Sequence, residues 1–281
     1  MWVVAHLPFS WQMRIGQALG LLSFYVARER RHVCEVNLQL CFPELSDSER
    51  HQLARKNFIS YGIGLIEIAI AWNRMPHSYE SRVQVSGMKH LDEALARGKG
   101  VLLVCAHFTT IEMGGFLFTL LKPLDVTYRP NKNPLMQALM FNGRLRVYNK
   151  VIGREDVRSA IRSLKTGNIL WYGPDQDYGP KHSVFVPFFG VEAATITATS
   201  RFARANDSAV VFYSHYRNAD NSGYHLAFSP ALTDYPSADE TQDALRMNQI
   251  IETAIRKQPD QYLWLHKRFK TQAAGKAARP Y

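Results

Sequence analysis

The sequence predicts an α/β fold, a mostly parallel sheet flanked by helices, preceded by a helical N-terminal portion. Two observations carry that prediction. From residue 83 onward, short β-rich runs alternate with helical stretches of roughly ten to fifteen residues, the rhythm of parallel βαβ units. Between Trp11 and about Trp72, apolar residues recur instead at three- and four-residue spacing. Composition sets the scale: 281 residues, 46% of them hydrophobic, can bury a large core, and no repeat, low-complexity tract or clear linker interrupts them. The chain therefore divides into a helical portion, residues 1–80, and an α/β core, residues 81–281, in one continuous fold.

In the first portion, IGQALGLLSFYVA and FISYGIGLIEIAIAW have helical spacing, and Ser46 with Glu49 three residues later is a capping-box signature for a helix start. The uncharged runs before Arg14 and from Ile15 to Ala27 each fall short of the ~18–20 residues of a transmembrane helix. A charged leader with an A-x-A cleavage site is absent from the sequence as given. Arg28, Arg30, Arg31, Arg50, Arg55 and Lys56 cluster beside the apolar stripes. Two readings fit: helices lying at a membrane interface, or core-facing helices with a solvated basic side.

In the core, VQVSG, VLLVCA, DVTYR and NILWYG read as strands. The helices between and after them are HLDEALARG, TIEMGGFLFTLL, PLMQALMFNGRLR and REDVRSAIRSLKTG, the last stopped by Gly167. After SVFVPFF a helix is expected near residues 195–205, then strands in SAVVFYSHYR and GYHLAFS, a long helix near 239–257, and the basic aromatic end YLWLHKRFK.

Lys and Arg total 34 against 24 acids, a net charge of +10 that favours an anionic partner: nucleic acid, an anionic lipid surface or an acidic protein. The three cysteines form no C-x-x-C pair, which fits a reducing compartment and offers no zinc pattern. Cys105, in an apolar strand, reads as a small core residue.

The chemistry concentrates in VLLVCAHFTTIEMGG. A buried-type strand ends at Ala106, His107 stands at its carboxyl edge, and Glu112 follows five residues later, just inside the next helix. Ligands of open α/β sheets bind at that edge. A histidine there can take a proton from a hydroxyl while a carboxylate fixes its tautomer. A satisfied strand-end histidine followed by an ordinary first-turn glutamate fits the same spacing. No G-x-S-x-G elbow supplies a serine nucleophile, so the pair suits direct attack by a bound alcohol on an activated acyl group. Arg129, after a strand and before Pro130, sits on the same edge, where a guanidinium suits phosphate or carboxylate recognition or is merely a surface turn residue. Arg144 and Arg146 fall at a helix end, where cations also complement the dipole. Asp175 and Asp177 lie in a Pro/Gly-bounded loop; without a third ligand at suitable spacing they read as structural or substrate-positioning residues, not as a metal pair. FVPFFG and LMQALMF are either core or walls of an acyl pocket.

AHFTTIEMGG, TYRPNKNPLMQALMFNGRLR and WYGPDQDYGPKHSVFVPFFG, with NLQLCFPELSDSER near the start and QYLWLHKRFKT near the end, closely resemble the bacterial lipid A secondary acyltransferases of the lauroyl type. These belong to the lysophospholipid acyltransferase superfamily, marked by His-x4-Asp/Glu. The resemblance covers nearly the whole chain. It implies a glycerol-3-phosphate acyltransferase-like fold and a membrane-associated N-terminal portion that usually begins with a hydrophobic anchor, here truncated. It implies transfer of a fatty acyl chain from acyl carrier protein to a hydroxyl of an acyl chain on a Kdo-bearing tetraacyl lipid A precursor. His107 would be the general base, Glu112 its orienting partner, and Arg144 and Asp175 match positions that matter in the family; Arg129 joins them as a substrate-binding candidate. No metal, nucleotide or other cofactor is implied beyond the acyl carrier protein co-substrate. The partners expected are acyl carrier protein, an anionic glycolipid acceptor and a membrane surface, at the cytoplasmic face of the inner membrane of a Gram-negative bacterium.

A glycerol-lipid acyltransferase of the same superfamily is the enzymatic alternative. A basic nucleic-acid-binding protein or a membrane-docking pseudo-enzyme is the non-catalytic one. Against nucleic acid, the basic residues lie beside apolar helices and no recognisable binding module is present.

Overall fold

Ser46 caps the longest helix by the expected device: its side chain accepts from the Glu49 backbone, and Glu49 reaches back to the Ser46 N–H at 2.8 Å. That helix, α4 (Asp47–Asn73), follows α1 (Trp2–Ala5), α2 (Phe9–Val26) and α3 (Arg28–Cys41) in this computed structural model, which describes residues 1–275 and 280–281. Glycines let α2 and α4 approach closely. A Cβ on Gly62 would stand 2.3 Å from the Gly16 carbonyl oxygen and from the Gly20 nitrogen, and such contacts are backbone that cannot step aside. The buried stripe of α2, Gln12, Met13, Gly16, Gly20 and Phe24, accordingly faces α4.

The outward face of α2 is apolar as well. Trp11, Leu19, Leu22, Tyr25 and Val26 are exposed at helical spacing, and Arg14 is the only charged residue in the helix. α2 is core-facing along its buried stripe, but its outward side is apolar and not basic. No helix among the described residues is long and apolar enough to cross a membrane.

After a 3-10 turn the α/β part runs β1 (Val83–Ser86), α5 (Met88–Ala96), β2 (Val101–Val104), α6 (Ile111–Phe118), β3 (Asp125–Tyr128), α7 (Pro134–Leu145), β4 (Lys150–Gly153), α8 (Val157–Lys165) and β5 (Ile169–Tyr172). An antiparallel hairpin follows, β6 (Ser183–Phe188) and β7 (Val191–Ile196), then α9 (Ala198–Arg204), β8 (Ala209–Arg217), β9 (Tyr224–Ala231) and α10 (Glu240–Lys257). Seven strands form one sheet in the order β1-β9-β8-β2-β5-β3-β4. Strands β8, β2, β5, β3 and β4 are parallel, and β9 with β1 runs the other way. The sheet is thus mostly parallel, as expected. One local inference needs correction, because β1 does not start a parallel unit with β2. It lies at the far edge, and α5 packs across β9 and β8 on the way back to the centre. The expected helix near residue 195 begins only at Ala198, because residues 191–196 pair with β6.

Central strand β2 is buried at every position and β5 at three of its four, the near-continuous apolar pattern of strands covered on both faces. Cys105 is buried in this core, as are Cys34 and Cys41, and all three are free thiols.

Candidate active site

β2 and β5 are parallel neighbours in register, with Val104 opposite Tyr172, so the loops that follow them meet at one sheet edge. One delivers His107 and the other Asp175. The imidazole Nδ1 lies 2.6 Å from Asp175 Oδ1, and the His107 backbone N–H donates to Oδ2 at 2.8 Å. A carboxylate that grips main chain and ring at once fixes the imidazole in place and in orientation. Nδ1 then carries the proton and Nε2 is left as the basic atom. Asp175 is buried; burial pushes its carboxyl up, but the His107 charge and hydrogen bonds outweigh this and hold it below its ordinary value.

Two further residues shape the pocket around the ring. A Cβ on Gly173 would stand 2.7 Å from His107 Cε1, so glycine there leaves room for the imidazole. Trp171 meets His107 edge-on at 5.9 Å between ring centroids. On the other side the C-terminal segment closes in: Leu263 N–H donates to the His107 carbonyl at 3.0 Å, and His266 Nε2 accepts from the Asp177 N–H at 3.1 Å. Burial, with repulsion from His107, pushes the His266 pKa down to about 4.

The expected His107–Glu112 pairing is not the one found. Glu112 Oε2 accepts the Trp72 indole N–H at 2.9 Å, and its carboxylate forms an ion pair with Arg144. Helices α4, α6 and α7 converge there, and a carboxylate that is 7% exposed requires a cation and donors. Arg144 and Trp72 supply them, while Asp175 takes the place at Nδ1. Burial works against the Arg144 charge, and Glu112 more than restores it. Arg129 follows β3 on the same sheet edge, exposed and with no hydrogen-bond or carboxylate partner among the described residues. Asp177 is structural: it accepts from Gly179 N–H at 2.8 Å and from the Thr271 N–H and hydroxyl at 2.6 and 2.9 Å. No group of three or more potential metal ligands occurs among the described residues.

A cleft lined by Glu112, Gly115, Thr127, Arg144, Tyr148 and Trp171 adjoins the imidazole through Trp171. Its volume is only about 30 Å³, below the ~300 Å³ at which ligand pockets begin. Neither apolar motif lines it. Phe188 and Phe189 of FVPFFG pack in the core with Phe269 and Trp264, and Leu135, Met136 and Leu139 face outward from α7.

The family model for bacterial lipid A biosynthesis acyltransferases matches residues 1–271. The chain belongs to that family. This lipid A acyltransferase is 40% identical over 280 residues to the lipid A biosynthesis lauroyltransferase of Escherichia coli, an alignment spanning 99% of this chain and 92% of that one. It is 38% identical to the palmitoleoyltransferase of the same organism, over 99% and 91% of the two chains. A lipid A biosynthesis acyltransferase of Haemophilus influenzae is 37% identical over 98% and 89%. The 1-acyl-sn-glycerophosphate acyltransferase structure from Thermotoga maritima overlaps at a TM-score of 0.37 with 14% identity, covering 86% of this chain and 94% of that one, too distant to bear on fold or site.

Of the residues singled out in the sequence, His107 and Asp175 come together, and Glu112 meets Arg144 instead of the imidazole. Asp175 read as a structural or substrate-positioning residue, and it is found on the imidazole. Trp72, Tyr148, Gly173 and His266 had no signal, since each reaches the site only through helix packing or loop closure.

Proposed function

We propose that this lipid A acyltransferase moves a fatty acyl chain from an acyl carrier protein thioester to a hydroxyl of an acyl chain on a Kdo-bearing tetraacyl lipid A precursor, with His107 as general base. The observation that carries the reading is the clamp of Asp175 on His107, which leaves Nε2 as the unprotonated nitrogen. Nε2 takes the acceptor hydroxyl proton as the oxygen attacks the thioester carbonyl. The tetrahedral intermediate collapses, the C–S bond breaks, and the imidazolium returns the proton to the leaving thiolate. The products are an ester and a free thiol. Asp175 stabilises the imidazolium throughout, as a buried carboxylate does in hydrolase triads. Arg144, held by Glu112, forms the charged wall of the adjacent cleft, and exposed Arg129 offers the first contact to an anionic substrate. The outward apolar stripe of α2 rests on the cytoplasmic face of the inner membrane.

The test is mass spectrometry of the Kdo-bearing precursor incubated with the protein and a mixture of acyl carrier protein thioesters. A gain of one acyl chain that disappears in His107→Ala is expected. Transfer to a glycerol phosphate lipid in place of the precursor would replace the acceptor, and a His107→Ala variant that retains activity would remove the mechanism.

A further inference from the structure

A second cavity, larger than the Trp171 cleft, lies between the helical portion and the C-terminal segment. It measures about 320 Å³, and its walls include Ser23 of α2, Ala27 between α2 and α3, Arg30 of α3, Phe58 and Tyr61 of α4, and His266 of the C-terminal segment. Leu263 and Leu265 complete the apolar part. Two of its wall residues bond the backbone of the active-site loops: Leu263 N–H donates to the His107 carbonyl, and His266 accepts from the Asp177 N–H. At the α2–α3 junction, which contributes Ser23, Ala27 and Arg30 to the walls, the chemistry changes abruptly. Leu22, Tyr25 and Val26 are exposed on the α2 side, whereas Arg28, Arg30 and Arg31 follow at once.

Of these three basic residues, Arg30 is the one that lines the cavity. Arg31 pairs with Glu35, and Glu29 pairs with Lys267. Arg30 has no carboxylate partner among the described residues; its one hydrogen bond is a long 3.4 Å contact to the Leu265 carbonyl. A guanidinium without a carboxylate partner among the described residues, on the wall of a partly apolar cavity next to an exposed apolar helix face, matches a lipid with an anionic headgroup. The chains of such a lipid would lie along α2 and one of them would enter the cavity toward His107.

We infer that this cavity is the port of the acceptor glycolipid, with Arg30 binding a phosphate or carboxylate of its headgroup. The inference rests on the proposed function, of which it specifies the acceptor's route.

The experiment is steady-state kinetics of Arg30→Gln with each substrate varied in turn, using intact Kdo-bearing precursor, phosphatase-treated precursor and one acyl carrier protein thioester. Arg30 is exposed and has no carboxylate partner among the described residues, so the variant should fold. The acceptor KM should rise about 10-fold or more with the donor KM unmoved, since losing one charge-assisted contact is worth at least a factor of that size. If Arg30 binds phosphate, treated precursor should no longer separate variant from wild type; if it binds carboxylate, the difference should persist. Ser23→Phe, which fills the cavity without touching charge, should also raise the acceptor KM. An unchanged acceptor KM in both variants, or a rise in the donor KM instead, would overturn the port, the latter pointing to acyl carrier protein on this surface. Wild-type protein that transfers nothing to any precursor would sink the proposed function itself, and the port with it.

Discussion

At the scale of single residues, two carboxylates that look equivalent in the sequence divide the work. Glu112 has the spacing expected of an orienting group, yet Asp175 holds the imidazole and Glu112 holds Arg144. Sequence spacing cannot separate these roles, because the choice depends on which loop closes over which strand end. The two substitutions should therefore differ in kind. Asp175→Asn keeps the shape but mispairs Nδ1, and should lower kcat by about 10²-fold or more with acceptor KM little changed. Glu112→Gln weakens the Arg144 pair and should act chiefly on KM, an outcome that parallel KM and kcat measurements would detect. Gly173→Ala is a sharper probe. Its Cβ would lie 2.7 Å from His107 Cε1, so the ring must turn off Asp175, and activity should fall at least ~10²-fold while the thermal transition moves little.

At the scale of elements, α4 is the support on which the site is built. It carries Trp72 to Glu112, and its Ser60 hydroxyl meets Thr109 at 2.7 Å, two residues beyond His107. Deeper in the helix, Glu67 binds Arg217 of β8 at 2.8 Å and accepts the Tyr224 hydroxyl of β9 at 2.7 Å, with both charged groups nearly fully buried. Cutting one partner strands the other, so Glu67→Ala should cost about 3–5 kcal/mol in chemical denaturation. A loss below about 1 kcal/mol would mean that water reaches Arg217. Elements with strong local chemistry were legible in the sequence: the Ser46 cap, the apolar run of β2 and the Gly167 stop. Strand β4 was not, because four residues at a sheet edge carry too little pattern, and β7 was partly read as helix because VEAATI has no alternation to mark it. The reversal of β1 lies beyond local sequence altogether, being fixed by where β9 leaves an open edge.

At the scale of the whole molecule, pH acts through the buried histidines. Burial pushes the His215 pKa down to about 3, and the ring is fully bonded as a neutral group, with Nδ1 2.8 Å from the Thr110 hydroxyl and Nε2 3.1 Å from Cys105 Sγ. The unfolded chain binds a proton near pH 6.5 and the folded one does not, so stability is complete above that value and falls as pH drops toward 3. His215 alone contributes a slope of up to about 1.4 kcal/mol per pH unit. Denaturant midpoints taken between pH 7 and 5 should show that slope, and His215→Asn should flatten it.

The other whole-molecule property is the coexistence of a net charge of +10 with an apolar stripe on the outer face of α2. Each has a different signature in membrane binding. Charge attracts the protein to anionic lipid over about a Debye length and is screened by salt, whereas burial of Trp11, Leu19, Leu22 and Tyr25 is not. Sedimentation with vesicles containing anionic lipid should therefore show binding that weakens, without vanishing, between about 0.05 and 0.5 M salt. Replacing Leu19 and Leu22 with Ser removes part of the apolar contact and should reduce the salt-resistant fraction severalfold. Both side chains are exposed, so the fold should survive the change. Binding that disappears completely at high salt in the unaltered protein would make the attachment electrostatic alone and leave the α2 stripe without a role at the membrane. Binding indifferent to salt would assign the basic excess to the soluble acidic donor instead, and the two results can be told apart in one titration.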